Sequence, residues 1–137
     1  MIEDQLYRGA LLEVFQNPKN KGKIANPDLE SKLFNPLCGD EVTLQIKLKD
    51  KRSLRSGELG QVVEKAVFSG NGCAISQASA SLLAEKIEGK NLKDVRKLKG
   101  NDILELIGIN PSPARLKCAF LSLEVLMEAL RNSNKRN

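Results

Sequence analysis

The spacing of hydrophobic and polar positions along the chain predicts a mixture of helices and strands. Apolar residues recur at helical spacing over Ile2–Phe15, and Asn17-Pro18 ends this helix because a residue before proline is driven from the helical region. Over Val42–Leu48 apolar and polar residues alternate, which is the period of a half-buried strand. Gln61–Phe68 is predicted as a second strand, antiparallel to the first.

The rest of the chain predicts one short strand and two more main helices. Ser31–Phe34 is the candidate edge strand within a polar, loop-like stretch. Ser69–Gly72 is predicted to turn the chain into a helix over Ile75–Glu88. The last helix has a clear start, because Ser112 is a good N-cap and Pro113 suits the first helical position.

These elements predict a single α+β domain over residues 1–137, with a frayed tail over 131–137. We expect a small antiparallel β-sheet with the helices packed mainly on one face. A chain of 137 residues with 41% hydrophobic and 28% charged residues is typical of a soluble globular domain. No repeat and no change of composition divides it.

Composition excludes several kinds of function. The chain has no histidine, which removes Ser-His-Asp and Cys-His nucleophile pairs and histidine zinc motifs. Three cysteines cannot all pair within one chain. No basic leader and no run of about 18 apolar residues is present, so we expect no membrane contact and a reducing, cytoplasmic setting. The net charge of +5 permits an acidic or nucleic-acid partner without requiring one.

The three cysteines lie at the ends or in the first turns of predicted elements. Cys38 comes just before the strand that begins near Val42, Cys73 opens the central helix, and Cys118 lies in the second turn of the last helix. None lies on an apolar stripe, so we expect them to be more accessible than most structural cysteines. Residue chemistry alone leaves two interpretations open, a shared metal site or three unrelated free thiols.

A shared site would have four ligands if Asp40 joined the three thiolates. Such a set suits tetrahedral Zn²⁺ or a labile iron–sulfur cluster, from which a carboxylate ligand eases release. Arg115 and Lys117, which flank Cys118, would offset the excess negative charge. The alternatives are that Asp40 only caps a strand and that Lys117 is an ordinary solvated helix lysine.

Four segments carry a resemblance to a known family. In chain order they are Asn17–Gly22, Cys38–Asp40, Ala66–Ser81 and Pro113–Cys118. Together they resemble the U-type iron–sulfur assembly proteins, namely the NifU amino-terminal domain and its IscU-like and SufU-like relatives. The resemblance extends over most of the chain and implies the NifU/IscU-like fold.

The resemblance implies a function in iron–sulfur cluster biogenesis. Cys38, Asp40, Cys73 and Cys118 would line one site that holds zinc or a transient [2Fe–2S] or [4Fe–4S] cluster. A cysteine desulfurase would deliver sulfur there as a persulfide, and recipient apo-proteins or cluster carriers would receive sulfur or cluster. We expect Cys38 to be the acceptor, because Gly39 lets its loop move. The chain would be a scaffold or a sulfurtransferase-type acceptor rather than a conventional hydrolase or oxidoreductase.

Two features bear on the branch of the family. Lys117 stands where IscU-like members have histidine, and this change and the run Ala78–Ser81 resemble the SufU-like branch. The short separation between Cys73 and Cys118 instead resembles the IscU-like branch.

Two other interpretations concern basic residues. The loop Lys47–Arg55 is either a solvated tip or a docking site for an acidic face of the desulfurase. A zinc-stabilised, basic nucleic-acid-binding module is the alternative function. The five aromatic residues argue against it, because most lie on apolar stripes and none lies in the basic loop, where base stacking would need exposed rings.

Overall fold

The computed structural model describes residues 2–36, 39–49 and 61–135, with side chains described over 9–36, 39–49 and 61–132. The sheet contains three strands, and five helices accompany it within these ranges. The strands are β1 (Leu29–Asn35), β2 (Asp40–Leu48) and β3 (Val63–Asn71), and the helices are α1 (Ile2–Gln16), α2 (Ala74–Ile87), α3 (Leu92–Val95), α4 (Gly100–Ile107) and α5 (Pro113–Lys135).

The sheet is an antiparallel meander in the order β1-β2-β3. Along β2 every second side chain is buried, starting from Asp40, which confirms the strand that the alternation predicts. The buried face of the sheet packs against α2 and α5, which also pack against each other. The expected α+β fold, with helices mainly on one face of a small antiparallel sheet, is therefore confirmed.

The structure corrects two of the strand assignments. β1 is longer than the predicted Ser31–Phe34, because it pairs with β2 from Leu29 to Asn35. The predicted turn at Ser69–Gly72 is wrong, since β3 continues to Asn71 and remains paired with β2 there. The continuation depends on Gly70, whose φ is +139° and whose missing side chain leaves room for the carbonyl group of Glu41.

The long helices begin where the sequence predicts but do not all end there. α5 starts at Pro113 and is helical to Lys135 in the part of the chain that the structure describes, and fraying of the tail over 131–137 stays a prediction. α2 ends before Gly89, whose φ of +82° suits the residue after a helix. No described helix has an apolar stretch long enough to cross a membrane.

α1 is attached to the rest of the protein through a small apolar cluster. Leu11 is buried there beside Ala78 of α2, Ile107 of α4 and Ala119 of α5. Leu12, the next residue, is 48% exposed and faces outward. Thus α1 is an outer layer on α2.

Candidate metal centre

Asp40, Cys73 and Cys118 meet at one end of the sheet. Asp40 is the first residue of β2, Cys73 caps the N-terminus of α2, and Cys118 lies in the second turn of α5. One ligand atom from each residue lies within 4.8 Å of the other two. Three elements distant in sequence therefore bring two sulfur ligands and one oxygen ligand together.

The pairing of β2 with β3 explains how Asp40 and Cys73 meet. Glu41 is paired with Asn71, so the chain leaves β3 directly beside Asp40. A side chain at Gly72 would overlap the Asp40 carboxylate and would lie 2.7 Å from the hydroxyl oxygen of Ser76. Glycine at position 72 therefore lets the carboxylate lie against the start of α2.

Hydrogen bonds hold Cys73 in place from several directions. Its backbone N–H donates to Asp40 Oδ1 at 2.8 Å, and its Sγ accepts from the N–H of Ser76 at 3.5 Å. The hydroxyl of Ser76 donates to the Cys73 carbonyl at 3.1 Å, and Gln77 Nε2 donates to that hydroxyl at 3.2 Å. The sulfur therefore lies at the N-terminus of α2, with the backbone N–H of Ser76 directed at it.

The burial of Cys118 differs from what the sequence predicts. It is fully buried, as is its neighbour Ala119, so the expected accessibility of all three cysteines is wrong at this position. The second turn of α5 faces inward toward the end of the sheet, where α2 also packs. Cys73, by contrast, is only partly buried.

Asp40 accepts a hydrogen bond at the start of α2, and its role as a metal ligand stays a prediction. The residue is fully buried, and Oδ1 accepts the Cys73 N–H while Oδ2 lies 4.0 Å from Cys73 Sγ. It therefore holds the residue that caps α2, and its second oxygen lies near the sulfur of that residue. A buried carboxylate is costly unless hydrogen bonds or a cation compensate it.

The three residues fit a metal ion. Two ligands on a tetrahedral zinc ion at about 2.0–2.3 Å lie about 3.3–3.8 Å apart, so side-chain movements of about 1 Å would bring these three ligand atoms, which lie within 4.8 Å of one another, into range. Two thiolates, a carboxylate and one further thiolate would supply the four ligands of a tetrahedral ion. Cys38, the residue expected to supply that fourth ligand, lies outside the described residues.

The two expected charge partners point to opposite sides of α5. Arg115 lines a groove together with Cys73, while Lys117 lines a separate cavity with Asn35 and Pro36. Residues two apart on a helix are about 200° apart around its axis, which explains the divergence. Arg115 thus lines the groove that Cys73 also lines, and Lys117 lies on the side of α5 that faces Asn35 and Pro36.

Of the basic loop, only the start is described. Lys47 Nζ donates to the Asn26 carbonyl at 3.2 Å, so this lysine is engaged within the fold. Lys51, Arg52 and Arg55 lie outside the described residues, so a docking function for this loop stays a prediction.

Sequence reasoning missed the residues that support the site. Gly70 and Gly72 let two segments approach closely, while Ser76 and Gln77 orient the backbone of Cys73. The available signal is the pair of glycines just before a helix-capping cysteine, a pattern that also predicts a turn.

Replacing Asp40 by asparagine should separate its hydrogen bond to Cys73 from its predicted role as a metal ligand. Asp40→Asn keeps an oxygen that can accept the Cys73 N–H, so we expect a melting temperature close to that of the wild type in metal-free protein. Zinc affinity should fall on the order of 10- to 100-fold, because a neutral amide replaces a charged ligand. Competition with a chromogenic chelator would measure the affinity.

Asp40→Ala is the matched control for this test. It should lose zinc affinity and also about 1–3 kcal/mol of stability, since the Cys73 N–H loses its acceptor. Equal zinc affinity in Asp40→Asn and wild type would show that the carboxylate does not bind the metal.

Known proteins are similar to this chain over almost its whole length. The family model described as the NifU-like N terminal domain matches residues 6–137. The zinc-dependent sulfurtransferase SufU of Bacillus subtilis (strain 168) is 32% identical, with 98% of this chain and 95% of that protein covered. The iron–sulfur cluster assembly scaffold protein IscU of Thermotoga maritima is 31% identical, with 98% and 99% covered.

Solved structures share the fold. A NifU-like N-terminal protein from Brucella abortus has a TM-score of 0.73 at 22% identity, with 98% of both chains covered. A structure from Fervidobacterium islandicum AW-1, described as an iron–sulfur cluster assembly scaffold protein for the SUF system, has a TM-score of 0.68 at 29% identity. It covers 88% of this chain and 93% of its own.

Proposed function

Because the chain belongs to the family of NifU-like N-terminal domains, we propose that it acts in iron–sulfur cluster biogenesis as an acceptor of persulfide sulfur. A cysteine desulfurase is the proposed donor. The observation that carries the proposal is the convergence of Asp40, Cys73 and Cys118 within 4.8 Å at the end of the sheet. With Cys38 they would form a site of three thiolates and one carboxylate.

The proposed step is a transfer of one sulfur atom to Cys38. The Cys38 thiolate attacks the outer sulfur of the donor persulfide, and a new S–S bond forms as the donor's S–S bond breaks. The donor cysteine's own sulfur leaves as a thiolate. The outer sulfur keeps its proton as it is transferred to Cys38. One persulfide is consumed and one is formed, so the step needs no oxidant or reductant.

Each of the other site residues has a supporting role in the proposal. Cys73 is fixed by its bonds to Asp40 and Ser76, and Cys118 is buried, so neither is well placed to reach a donor. Arg115, which lines the same groove as Cys73, would stabilise the thiolate that forms on the donor cysteine as its sulfur leaves. Lys117, on the other side of α5, would attract the persulfide on Cys38 once the outer sulfur has lost its proton.

Zinc is the occupant that we propose first. The similarity to a zinc-dependent sulfurtransferase and the lysine at position 117 support it. Bound zinc would keep the cysteine ligands as thiolates.

A transient iron–sulfur cluster, as cargo for apo-proteins or cluster carriers, is supported by the similarity to scaffold proteins. Either occupant requires free thiols, which supports the expected cytoplasmic setting.

Elemental analysis and visible absorption of protein purified without oxygen would test the proposal. One equivalent of zinc and no colour are expected for the sulfur acceptor, whereas brown protein with iron and sulfide would favour the scaffold. Cys118→Ser, which removes a buried ligand, should reduce either occupant strongly. Wild-type protein that holds neither zinc nor cluster would overturn the proposed site.

A further inference from the structure

The end of the molecule opposite the candidate metal centre carries a concentrated positive charge. Residues 86–99 contain six lysines and arginines against two acids, a net charge of +4 (6 − 2), while the whole chain has +5. We propose that five lysines of this segment bind an acidic surface of a partner protein. This lysine surface consists of Lys86, which is half-buried, and of the exposed residues Lys90, Lys93, Lys97 and Lys99.

The backbone that carries the lysine surface is attached to the sheet and to the last helix. The N–H of Val63, the first residue of β3, donates to the Lys90 carbonyl at 2.9 Å. Arg96 Nη2 donates to the carbonyl of Leu130 in α5 at 3.3 Å. The lysines therefore project from a fixed backbone, so a partner that binds them would have to order only their side chains.

The charges of the lysine surface are not paired within the protein. In the part of the chain that the structure describes, none of the five lysines forms an ion pair. Glu85, just before the segment, lies 3.8 Å from Lys19, and Glu88 Oε2 accepts the N–H of Ala66 at 3.1 Å. Asp94 is the one other acid in the segment. The carboxylates of a partner can therefore complement these lysines.

The composition of the surface favours a protein partner over a membrane or a nucleic acid. The exposed large hydrophobic residues of the described chain are Leu12, Phe15 and Phe34, and all three lie outside the surface. Among the described residues it thus has no exposed ring to stack on a base and no large exposed apolar side chain to insert into a bilayer. Arginine, which can bind phosphate through two hydrogen bonds, is represented only by Arg96, which binds the Leu130 carbonyl.

The distance between the lysine surface and the metal centre would let both be occupied at once. β2 begins with Asp40 at the metal centre and extends for nine residues, which is roughly 26 Å at about 3.3 Å per residue. Just beyond its far end, the N–H of Lys49 donates to the Val62 carbonyl at 3.0 Å, next to the start of β3. A partner bound at this end would leave the metal ligands accessible, and its negative charge would accelerate association.

Binding of labelled poly-L-glutamate, measured by fluorescence anisotropy at low and high salt, tests the lysine surface. The double variant Lys93→Glu/Lys97→Glu reverses two charges, which lie on one face because residues four apart on a helical turn are neighbours. We expect it to raise the Kd about tenfold at low salt and less at high salt, because exposed charges are screened by ions.

The double variant Lys21→Glu/Lys23→Glu is the matched control. Both lysines are exposed, lie in the loop after α1, and change the net charge by the same amount. Its Kd should remain within about twofold of the wild-type value, since the lysine surface is intact. Both double variants should hold as much zinc as the wild type, and circular dichroism would check that they fold.

The outcomes separate the lysine surface from the proposed function. No binding of poly-L-glutamate by the wild type, or equal losses in the two double variants, would overturn the lysine surface. Tighter binding of single-stranded DNA or phosphatidylserine vesicles than of poly-L-glutamate, lost in Lys93→Glu/Lys97→Glu, would overturn the choice of a protein partner. Failure of the proposed function would instead appear as wild-type protein without zinc or cluster, whatever its affinity for poly-L-glutamate.

Discussion

The Cys38→Ser variant is expected to take up no radioactive sulfur from a cysteine desulfurase, whereas the wild type takes up one sulfur per chain. The thiolate is the nucleophile in sulfur exchange, and a serine hydroxyl cannot replace it at neutral pH. The expected loss is therefore complete within detection. Scintillation counting after gel separation without reductant would measure it, and mass spectrometry would locate the added sulfur.

The other two cysteines provide the controls. Cys118 is fully buried and Cys73 is held by hydrogen bonds at the start of α2, so we expect neither to accept sulfur directly. Cys118→Ser should lose bound metal and still become labelled at Cys38, because the acceptor remains. Full labelling of Cys38→Ser would show that another cysteine is the acceptor.

The Gly70→Ala variant is expected to lose roughly 3–5 kcal/mol of unfolding free energy, a large part of the stability of a small domain. Two causes add together. The φ of +139° is unfavourable for any residue with a side chain, and the new methyl group would overlap the Glu41 carbonyl oxygen and lie 2.9 Å from its carbon. Both are backbone atoms in a paired strand, so neither can move away without breaking the sheet. Urea unfolding followed by circular dichroism would measure the loss.

Gly9→Ala is the matched control for this prediction. Gly9 lies within α1, and nothing is within 4 Å of the place where a side chain would be added. Alanine is the better helix former, so Gly9→Ala should be neutral or stabilise the protein by up to about 1 kcal/mol. A Gly70→Ala protein as stable as the wild type would mean that the ends of β2 and β3 can separate at little cost.

The fold was predictable where local pattern and burial agree. β2 alternates along its whole length, so its assignment needed no tertiary information. β1 was underestimated because two of its buried positions, Ser31 and Asn35, carry polar side chains and weaken the alternation. Gly70 looked like a turn residue, but in the structure it serves the close approach of two strands.

The candidate site was predictable in part. The sequence indicated that Cys73 opens a helix, and the resemblance grouped Asp40 with the three cysteines. The burial of Cys118 cannot be inferred from the sequence, because it depends on how α5 packs against α2, β1 and β2. The side chains of Arg115 and Lys117 point to opposite sides of α5 because of helix geometry alone. Their closeness in sequence nevertheless predicts that both offset the negative charge of one site.

The position of the ligands on three separate elements makes the proposed metal a cross-link. Asp40 and Cys118 are 78 residues apart in the chain (118 − 40), so one ion would join the start of β2 to α5. A ligand that binds only the folded state adds stability that depends on its own concentration. The folded population of this protein would therefore follow the supply of metal. Under metal starvation the cell would lose the acceptor through unfolding and proteolysis as well as through an empty site.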